Sequence, residues 1–232
     1  MGSGVQKKVL AGLRRHEIVT LLQGEQNVGV ELGVAEGVFS QRMVASGKFR
    51  SFIGIDMYGD SHDVKQYKRA SKLIGLETGY KLLRMRFDEA FDLFDDESLD
   101  FIYVDGYAHG GEEGGETIFE WYRKVKVGGL IAGDDYHADW PLVVKAVDEF
   151  AQQLGEPLWV TDVTEPDNQY CRYPSWAVRK TQALAPKAPL ELLEAGRAEN
   201  RRVALQQDGG LLRRAARNLL PPLLYGYLKQ LR

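Results

Sequence analysis

The chain has 232 residues, of which 44% are hydrophobic and 27% are charged, and its formal net charge is −3. This composition is typical of a globular chain with enough material for one core and some extensions, and it excludes a global basic field for nucleic acid. The single cysteine, Cys171, excludes an internal disulfide and a cysteine-based zinc site. Nothing near the N-terminus has the pattern of a signal peptide and no apolar run reaches the length of a membrane span, so we expect a cytoplasmic protein.

The first predicted element is a helix within an N-terminal segment, residues 1–24. Between Val5 and Leu22 the apolar residues fall near helical spacing. We expect this helix to cover a sheet edge or to form part of a cleft wall.

The next stretch reads as a strand, a turn and a helix. An apolar run from Val28 to Leu32 leads into the glycine-containing turn around Gly33 and Gly37, and the amphipathic stretch Val38 to Ala45 follows. A turn at the end of such a strand is where a doubly wound sheet binds its ligand. A second apolar run then ends in Asp56, whose carboxylate can accept two hydrogen bonds from a ribose diol.

The glycine pattern of this turn discriminates between cofactors. A dinucleotide fingerprint needs a second glycine where this chain has Ala35, whose methyl group opposes the close approach of a pyrophosphate. Glu31 places negative charge beside the turn, which suits the cationic end of S-adenosylmethionine better than a pyrophosphate. The alternative is an ordinary glycine turn in an unrelated α/β protein.

Further acidic residues follow later strands of the predicted sheet. The polar stretch Tyr58 to Gly75 is long enough to hold a helix over the cofactor, and a strand near Lys81 to Met85 leads to Asp88. Asp88 is predicted either to contact the adenine or to cap the next helix.

Two neighbouring apolar strands end in carboxylates. Phe101 to Val104 is followed by Asp105, and Leu130 to Gly133 is followed by Asp134 and Asp135. Because these strands are adjacent in such a sheet, their acidic ends should meet, and three carboxylates packed together repel unless a cation lies between them. Oxygen ligands of this kind suit Mg²⁺, Mn²⁺ or Ca²⁺. The alternative is that Asp134 or Asp135 only caps the following turn.

The C-terminal part of the chain changes character. The runs Pro157 to Val163 and Ser175 to Val178 are predicted to form an antiparallel pair, and residues 181–200 an Ala/Pro-containing linker. From Arg201 onward, in the tail formed by residues 201–232, seven Lys or Arg residues stand against one acid. This basic, leucine-rich tail fits an interfacial helix at an anionic membrane, a docking helix for a partner or a second subunit, or a helix folded back on its own domain.

Over residues 25–180 the sequence resembles class I S-adenosylmethionine-dependent methyltransferases, and the turn from Glu31 to Gly37 resembles their motif I. The stretch from Asp105 through Asp135 is similar to the metal-dependent O-methyltransferases of the macrocin and catechol types. The resemblance implies an α/β, Rossmann-like, seven-stranded and mostly parallel sheet with an antiparallel terminal strand, helices on both faces and a helical C-terminal tail. It implies cofactor contacts at Glu31, Gly33, Ala35, Gly37, Asp56, Met57, Asp88 and Asp105, and a Mg²⁺ or Mn²⁺ site at Asp105, Asp134 and Asp135.

The resemblance also implies a reaction. The metal would bind an acceptor hydroxyl and lower its pKa, with His109, His137 or Asp105 as catalytic groups. Ala108 stands where the related enzymes often carry a base, which is a departure from their pattern. The implied acceptor is a small hydroxylated molecule, a sugar, glycan, glycolipid or secondary metabolite, with no nucleic acid partner and with the tail at the inner membrane face. The alternatives are another enzyme on the same fold, such as a hydroxylase or dehydrogenase, and a non-catalytic module that works through its tail.

Overall fold

The computed structural model describes residues 4–59, 62–76, 79–105 and 114–219, with the backbone alone at residue 204 and over 206–219. The strands are β1 (Lys7–Leu10), β2 (Asn27–Leu32), β3 (Phe49–Ile55), β4 (Tyr80–Leu83), β5 (Leu99–Val104), β6 (Val125–Gly133), β7 (Leu158–Thr161) and β8 (Trp176–Arg179). The α-helices are α1 (Val38–Ala45), α2 (Val64–Ile74), α3 (Phe87–Phe91), α4 (Glu116–Trp121), α5 (Pro141–Leu154) and α6 (Leu190–Leu219).

The strands form one eight-stranded sheet in the order β1-β7-β8-β6-β5-β2-β3-β4. Strand β8 runs antiparallel to both β6 and β7, and the other neighbouring pairs are parallel. The predicted α/β class and the antiparallel pair near the C-terminus are confirmed. The sheet has one strand more than predicted, because β1 adds to the edge beside β7.

The core lies on both faces of the central strands. In β5, Ile102 and Val104 belong to the cluster that packs against α4 and α5. Their neighbours Phe101 and Tyr103 belong to the opposite cluster, with α1 and the N-terminal segment. Alternate residues of a strand point to opposite faces, so this apolar strand is buried on both sides. That burial fixes where β5 ends, and therefore places Asp105 at the carboxyl end of the sheet.

The predicted N-terminal helix is wrong. The segment forms β1 and then a 3₁₀ helix over Arg15–Leu21, with Gly12 between them at a φ of 78°. The apolar residues that suggested one helix belong to two elements. Lys7–Leu10 pairs in parallel with β7, while Ile18, Val19 and Leu22 are buried against the sheet. The left-handed conformation at Gly12 interrupts any continuous helix.

The C-terminal helix begins earlier than predicted. Helix α6 starts at Leu190, inside the segment predicted as a linker, although residues 181–189 carry neither helix nor strand. Leu192 is 1% exposed and joins the core next to α5, so the first turns of α6 fold back on the domain. Residues 201–219 are helical, as predicted, and the rest of the tail lies outside the described residues. Within the described ranges, no helix combines the length and apolar character needed to cross a bilayer.

Candidate functional site

The turn after β2 has the predicted position and a demanding backbone. Gly33, Ala35 and Gly37 have φ values of 95°, 48° and 81°. A Cβ at Gly37 would lie 2.9 Å from the Cβ of Ala70 in α2, so this position needs glycine both for its φ and for its packing. Ala35 holds a left-handed conformation without being glycine. Strained backbone of this kind concentrates at ligand sites, and here it keeps the turn tight at the carboxyl end of the sheet.

Asp56 organises this turn. Its carboxylate accepts hydrogen bonds from the main-chain N–H groups of Val34 (2.9 Å), Ala35 (3.0 Å) and Tyr58 (2.9 Å), and it lies 2.7 Å from Nδ1 of His62. Burial alone would raise the pKa of Asp56, but these hydrogen bonds hold that pKa below its ordinary value. Three of these contacts fall on Oδ2, whereas Oδ1 accepts from the N–H of Tyr58. Oδ1 therefore retains acceptor capacity for the predicted ribose contact.

Tyr58 is a residue that the sequence did not mark. It is 1% exposed, has a φ of 45°, and its hydroxyl donates to the carbonyl oxygen of Ala35 at 2.8 Å. Its ring packs with Val34 and Ala70. Tyr58 thus holds the turn from the side of α2. The neighbouring Met57, a predicted cofactor contact, accepts at its carbonyl oxygen from Nε of Arg84 at 3.3 Å.

Glu31 lies beneath the turn. It is 1% exposed, and the hydroxyl of Ser40 donates to its carboxylate. Ser40 is also hydrogen-bonded to the hydroxyl of Tyr80 at 2.9 Å. Burial raises the pKa of Glu31 well above its ordinary value, which favours the neutral carboxyl group. A direct contact with a bound cation, as predicted, needs the Ser40 contact to open.

Asp88 stands at the edge of the site. It is in the first turn of α3 and pairs with Arg86 at 2.7 Å in an exposed position. The main-chain N–H of Arg86 donates to the carboxylate of Glu89 at 2.9 Å. The N-terminus of α3 is therefore capped by Glu89 and not by Asp88. Its predicted adenine contact stays a prediction.

The acids after β5 and β6 meet, as the sequence predicted, and they meet on an arginine. Arg15 makes ion pairs with Asp105 and, over 2.9 Å from Nη1, with Asp134. Its Nη1 also donates to the carbonyl oxygen of Tyr170 at 2.7 Å. The sequence predicted a divalent metal between these carboxylates, whereas the structure places a guanidinium between Asp105 and Asp134. Among the described residues, no group of three or more His, Cys, Asp or Glu residues has the arrangement of a metal site.

Arg15 is enclosed by aromatic rings. It is 4% exposed, and its guanidinium carbon lies 5.1 Å from the ring centroids of Phe39 and Tyr103 and 4.7 Å from that of Tyr170. A cation over aromatic faces is attracted by their quadrupoles, most strongly where water is excluded. The arginine is thus built into the core as well as paired. The sequence did not indicate this role for Arg15, because an arginine within a segment predicted to be a helix is expected at the surface.

The two aspartates after β6 differ in their contacts. Asp134 accepts from Oγ of Ser175 at 2.8 Å through Oδ1, and pairs with Arg15 through Oδ2. Burial raises the pKa of Asp134 to about 6, against the opposing effect of Arg15. Asp135 has a φ of 58°, and its carbonyl oxygen accepts from the N–H of His137 at 2.8 Å. The predicted metal contacts of these residues stay predictions.

An aromatic cluster adjoins these acids, and we call His137, Asp139, Trp140 and Tyr173 the aromatic cluster. His137 and Tyr173 stack with centroids 4.9 Å apart, and Trp140 meets Tyr173 edge-on at 6.3 Å. The hydroxyl of Tyr173 donates to Asp139 at 3.0 Å. Because Gly133 pairs with Trp176, the segments before β8 and after β6 share one edge of the sheet. The other predicted histidine, His109, lies outside the described residues.

Comparisons with known proteins agree with this arrangement. Residues 30–136, just under half of the chain, match a family model described as a methyltransferase domain. A putative O-methyltransferase from Klebsiella pneumoniae is similar at a TM-score of 0.53 and 15% identity, over 71% of this chain and 77% of that one. An S-adenosylmethionine-dependent O-methyltransferase from Thermotoga maritima reaches 0.51 at 14% identity, over 71% and 63% of the two chains. An rRNA methylase from Streptococcus thermophilus also reaches 0.51 at 14% identity, over 72% and 94%.

The comparison with curated proteins found no match. At these identities the structural similarities establish the fold, and the family match lies on the segment that carries the turn after β2, Asp56 and the acids at the ends of β5 and β6. Residues 30–136 are thus similar to a methyltransferase domain, and the solved structures share the fold that carries this segment.

Proposed function

We propose that the protein transfers a methyl group from S-adenosylmethionine to a hydroxyl group of a small acceptor, a sugar, glycan or secondary metabolite. The observation that carries this proposal is that the turn after β2, the acids after β5 and β6 and the aromatic cluster all lie at the carboxyl end of one sheet. Open α/β sheets bind their ligands at this edge. When bound, the cofactor supplies a sulfonium methyl group, which the acceptor oxygen takes as the S–C bond breaks.

The cofactor side is formed by the turn from Gly33 to Gly37 and by Asp56. The left-handed residues of the turn bring main chain, without bulky side chains, to the place where the ligand must approach. Asp56 offers a hydrogen-bond acceptor for the ribose at Oδ1, which accepts from the N–H of Tyr58. Met57 stays a predicted cofactor contact, and Asp88 a predicted contact to the adenine.

The acceptor side is formed by the aromatic cluster. Tyr173 and Trp140 present ring faces and edges, and Asp139 is an exposed carboxylate held by the Tyr173 hydroxyl. A ring face packs against the C–H groups of a sugar or phenol while a carboxylate accepts from its hydroxyls. This combination supports a small polyhydroxylated or aromatic acceptor. Binding is expected to bring one acceptor hydroxyl toward the end of β6.

The acceptor hydroxyl must lose its proton, and His137 is our proposed proton acceptor. The N–H of Asp139 donates to Nδ1 of His137 at 3.2 Å, and the Asp139 carboxylate lies 3.5 Å from the same atom. For Nε2 to take the acceptor's proton, the Nδ1 proton must replace this hydrogen bond and face the carboxylate. Asp105 is paired with Arg15 through its Oδ2 atom, so that oxygen is already engaged by a cation.

Metal assistance by Asp105, Asp134 and Asp135 is the refinement that the sequence suggested. The donor set does not fit a divalent ion in this arrangement, because one oxygen of Asp134 pairs with Arg15 and the other accepts from Ser175, while Asp105 also pairs with Arg15. We therefore derive no step through a metal.

The first experiment is calorimetric titration of S-adenosylmethionine, S-adenosylhomocysteine and NAD into the full chain. Asp56→Ala should weaken S-adenosylmethionine binding at least about tenfold, roughly the 1.4 kcal/mol of a lost charged hydrogen bond. Asp96→Ala is the matched control, because Asp96 is an exposed acid paired with Arg123 before β5, and we expect a change within about twofold. A preference for NAD, or no binding of either sulfur compound, would overturn the proposal.

The second experiment tests the acceptor side. Transfer of labelled methyl groups from S-adenosylmethionine to a panel of sugars and phenols should identify an acceptor. His137→Gln should then lower kcat about 10² to 10⁴-fold, the usual contribution of a general base, with little change in cofactor affinity. Equal loss of cofactor binding in this variant would contradict the assigned role. A chain that binds the cofactor and transfers no methyl group to either class would favour a non-catalytic module.

We also propose that the basic tail attaches the protein to an anionic membrane surface. Helix α6 leaves the domain after its first buried turns, and Leu205 is 73% exposed. Vesicles with and without phosphatidylserine should distinguish the full chain from one ending before Arg201. Equal sedimentation of both proteins with the anionic vesicles would end this proposal.

A further inference from the structure

The acidic ends of β5 and β6 hold a cation that belongs to the chain itself. We propose that Arg15 is the permanent cation of this site, in the place where the sequence suggested a divalent metal, and that the site works without such a metal. For its catalytic consequence this inference rests on the proposed function. Its structural content does not depend on the acceptor or on the reaction.

The first argument is the fit of the guanidinium. Its two terminal nitrogens reach two different carboxylates, and Nη1 also donates to the Tyr170 carbonyl oxygen at 2.7 Å. The planar fork of an arginine suits simultaneous contact with separate acceptors, and it stays charged at every pH that the fold survives. Three aromatic rings surround it within 4.7–5.1 Å. A side chain that had drifted into an empty metal site would not need such an enclosure.

The second argument is competition for the same oxygens. The Oδ2 atoms of Asp105 and Asp134 face Arg15, and a metal bridging these residues would need them. The remaining oxygen of Asp134 is held by Ser175, whose N–H donates to Thr161 at 2.9 Å and whose hydroxyl lies 2.9 Å from that of Tyr103. A divalent ion at this place would also lie within a few ångströms of the guanidinium charge. Metal and arginine therefore exclude each other.

The third argument is the element that delivers Arg15. The 3₁₀ helix is held in place because β1 pairs with β7 before it and because its own Ile18 and Val19, with Leu22 after it, are buried against the sheet. Arg15 cannot leave its position without disturbing this packing. We assign it as a positioning residue, which orients Asp105 and Asp134 beside the place of methyl transfer and keeps their charge compensated.

The test measures Mn²⁺ binding by electron paramagnetic resonance on the full chain, in wild type, Arg15→Gln and the double variant Arg15→Gln/Asp134→Asn. Wild type should bind no Mn²⁺ at micromolar concentrations. Arg15→Gln leaves the carboxylates without a cation and should bind Mn²⁺ at least about tenfold more tightly than wild type. At 100 times its Kd the metal should raise the Tm of this variant by roughly 5–10 °C. The double variant should lose both effects.

Arg14→Gln is the matched control, because Arg14 has the same charge, lies next in sequence and pairs with Glu165 in an exposed position. It should behave like wild type. Wild-type binding of one Mn²⁺ at micromolar Kd, lost in Asp134→Asn, would overturn the inference, even if Arg15→Gln fails to fold. S-adenosylmethionine titration of the same wild-type sample, with and without chelator, separates the two proposals. Absence of cofactor binding would refute the proposed function and leave the Mn²⁺ result valid.

Discussion

The two sides of the site hold their carboxylates by opposite means. On the cofactor side, Asp56 is held by three main-chain N–H groups and one imidazole nitrogen, and its pKa is lowered. On the other side, at the ends of β5 and β6, which we call the acceptor side from here on, the Arg15 guanidinium lies 2.9 Å from Asp134. The pKa of Asp134 is nevertheless raised to about 6, because the effect of burial is larger. The N–H groups around Asp56 thus stabilise its ionised form better than Arg15, shared between Asp105 and Asp134, stabilises that of Asp134.

The difference also concerns the origin of the contacts. Asp56 is bound by residues within 22 positions of itself in the chain, whereas Arg15 is 90 positions from Asp105. The cofactor side is therefore a local structure, built by a strand, a turn and the next strand. The acceptor side depends on the packing of a distant segment.

The strongest way to break this contrast is Arg15→Ala. The variant leaves Asp105 and Asp134 without their cation and opens space among three rings, so the free energy of unfolding should fall by about 3 kcal/mol or more. Urea denaturation measures the loss, and Arg14→Ala should change the value by less than about 0.5 kcal/mol. A loss below that limit in Arg15→Ala would show that the acceptor side does not depend on the arginine.

A second variant changes the backbone of the turn after β2, on the cofactor side. Gly37→Ala imposes a side chain at a φ of 81° and brings it to 2.9 Å from the Cβ of Ala70. We expect a loss of about 2 kcal/mol, part from strain and part from the clash. Adding Ala70→Gly should recover the part due to the clash. Thermal unfolding of the single and double variants decides whether that recovery occurs.

The pH dependence of stability should carry opposite signs for the two aspartates. Asp134 has a raised pKa, so its contribution falls as the pH rises from about 4 to about 6, between its unfolded value and its folded value. Asp56 has a lowered pKa, so its contribution is present above about 4 and is lost as the pH falls further. Urea titrations of Asp134→Asn should show a flatter profile between pH 4 and 6 than wild type. A steeper profile in the variant would contradict the sign assigned to Asp134.

The smallest expected effect concerns His62. His62→Ala removes the third contact from Oδ2 of Asp56 and opens space beside the carboxylate, so it should tighten S-adenosylmethionine binding by about threefold, or roughly 0.6 kcal/mol. Calorimetry on this variant measures the change. Weaker binding in His62→Ala would mean that the imidazole contacts the cofactor and does not compete with it.

Local patterns were sufficient to predict the sheet and much of the site. Apolar runs of strand length placed Asp56, Asp105 and Asp134 directly after buried strands, and parallel pairing then brings such strand ends to one edge. Electrostatics suggested a divalent metal between the acids, and the positive charge found between Asp105 and Asp134 is that of Arg15. Arg15 itself was not predicted, because it lies 90 positions from Asp105 and the spacing of the acidic residues does not indicate which residue pairs with them.

The N-terminal error has a related cause. The apolar residues between Val9 and Leu22 fit a helix, and the decisive information was the pairing of Lys7–Leu10 with Leu158–Thr161. An edge strand of four residues is defined by its partner far more than by its own composition. Tyr58 and His62 escaped notice for the same reason, as their roles appear only when the turn after β2 folds toward them.

The pairing of β1 with β7 imposes an order on biosynthesis. Lys7 meets Leu158, so β1 cannot pair until about 150 further residues are made, which takes roughly 8–30 s at ordinary elongation rates. Arg15 likewise cannot meet Asp134 or Tyr170 until each of them has been made. The nascent chain can assemble the turn after β2 and its partners from β3 early, while the acceptor side waits for the last third of the domain. A chaperone that binds nascent chains would therefore meet this protein with the turn after β2 formed and β1 still unpaired.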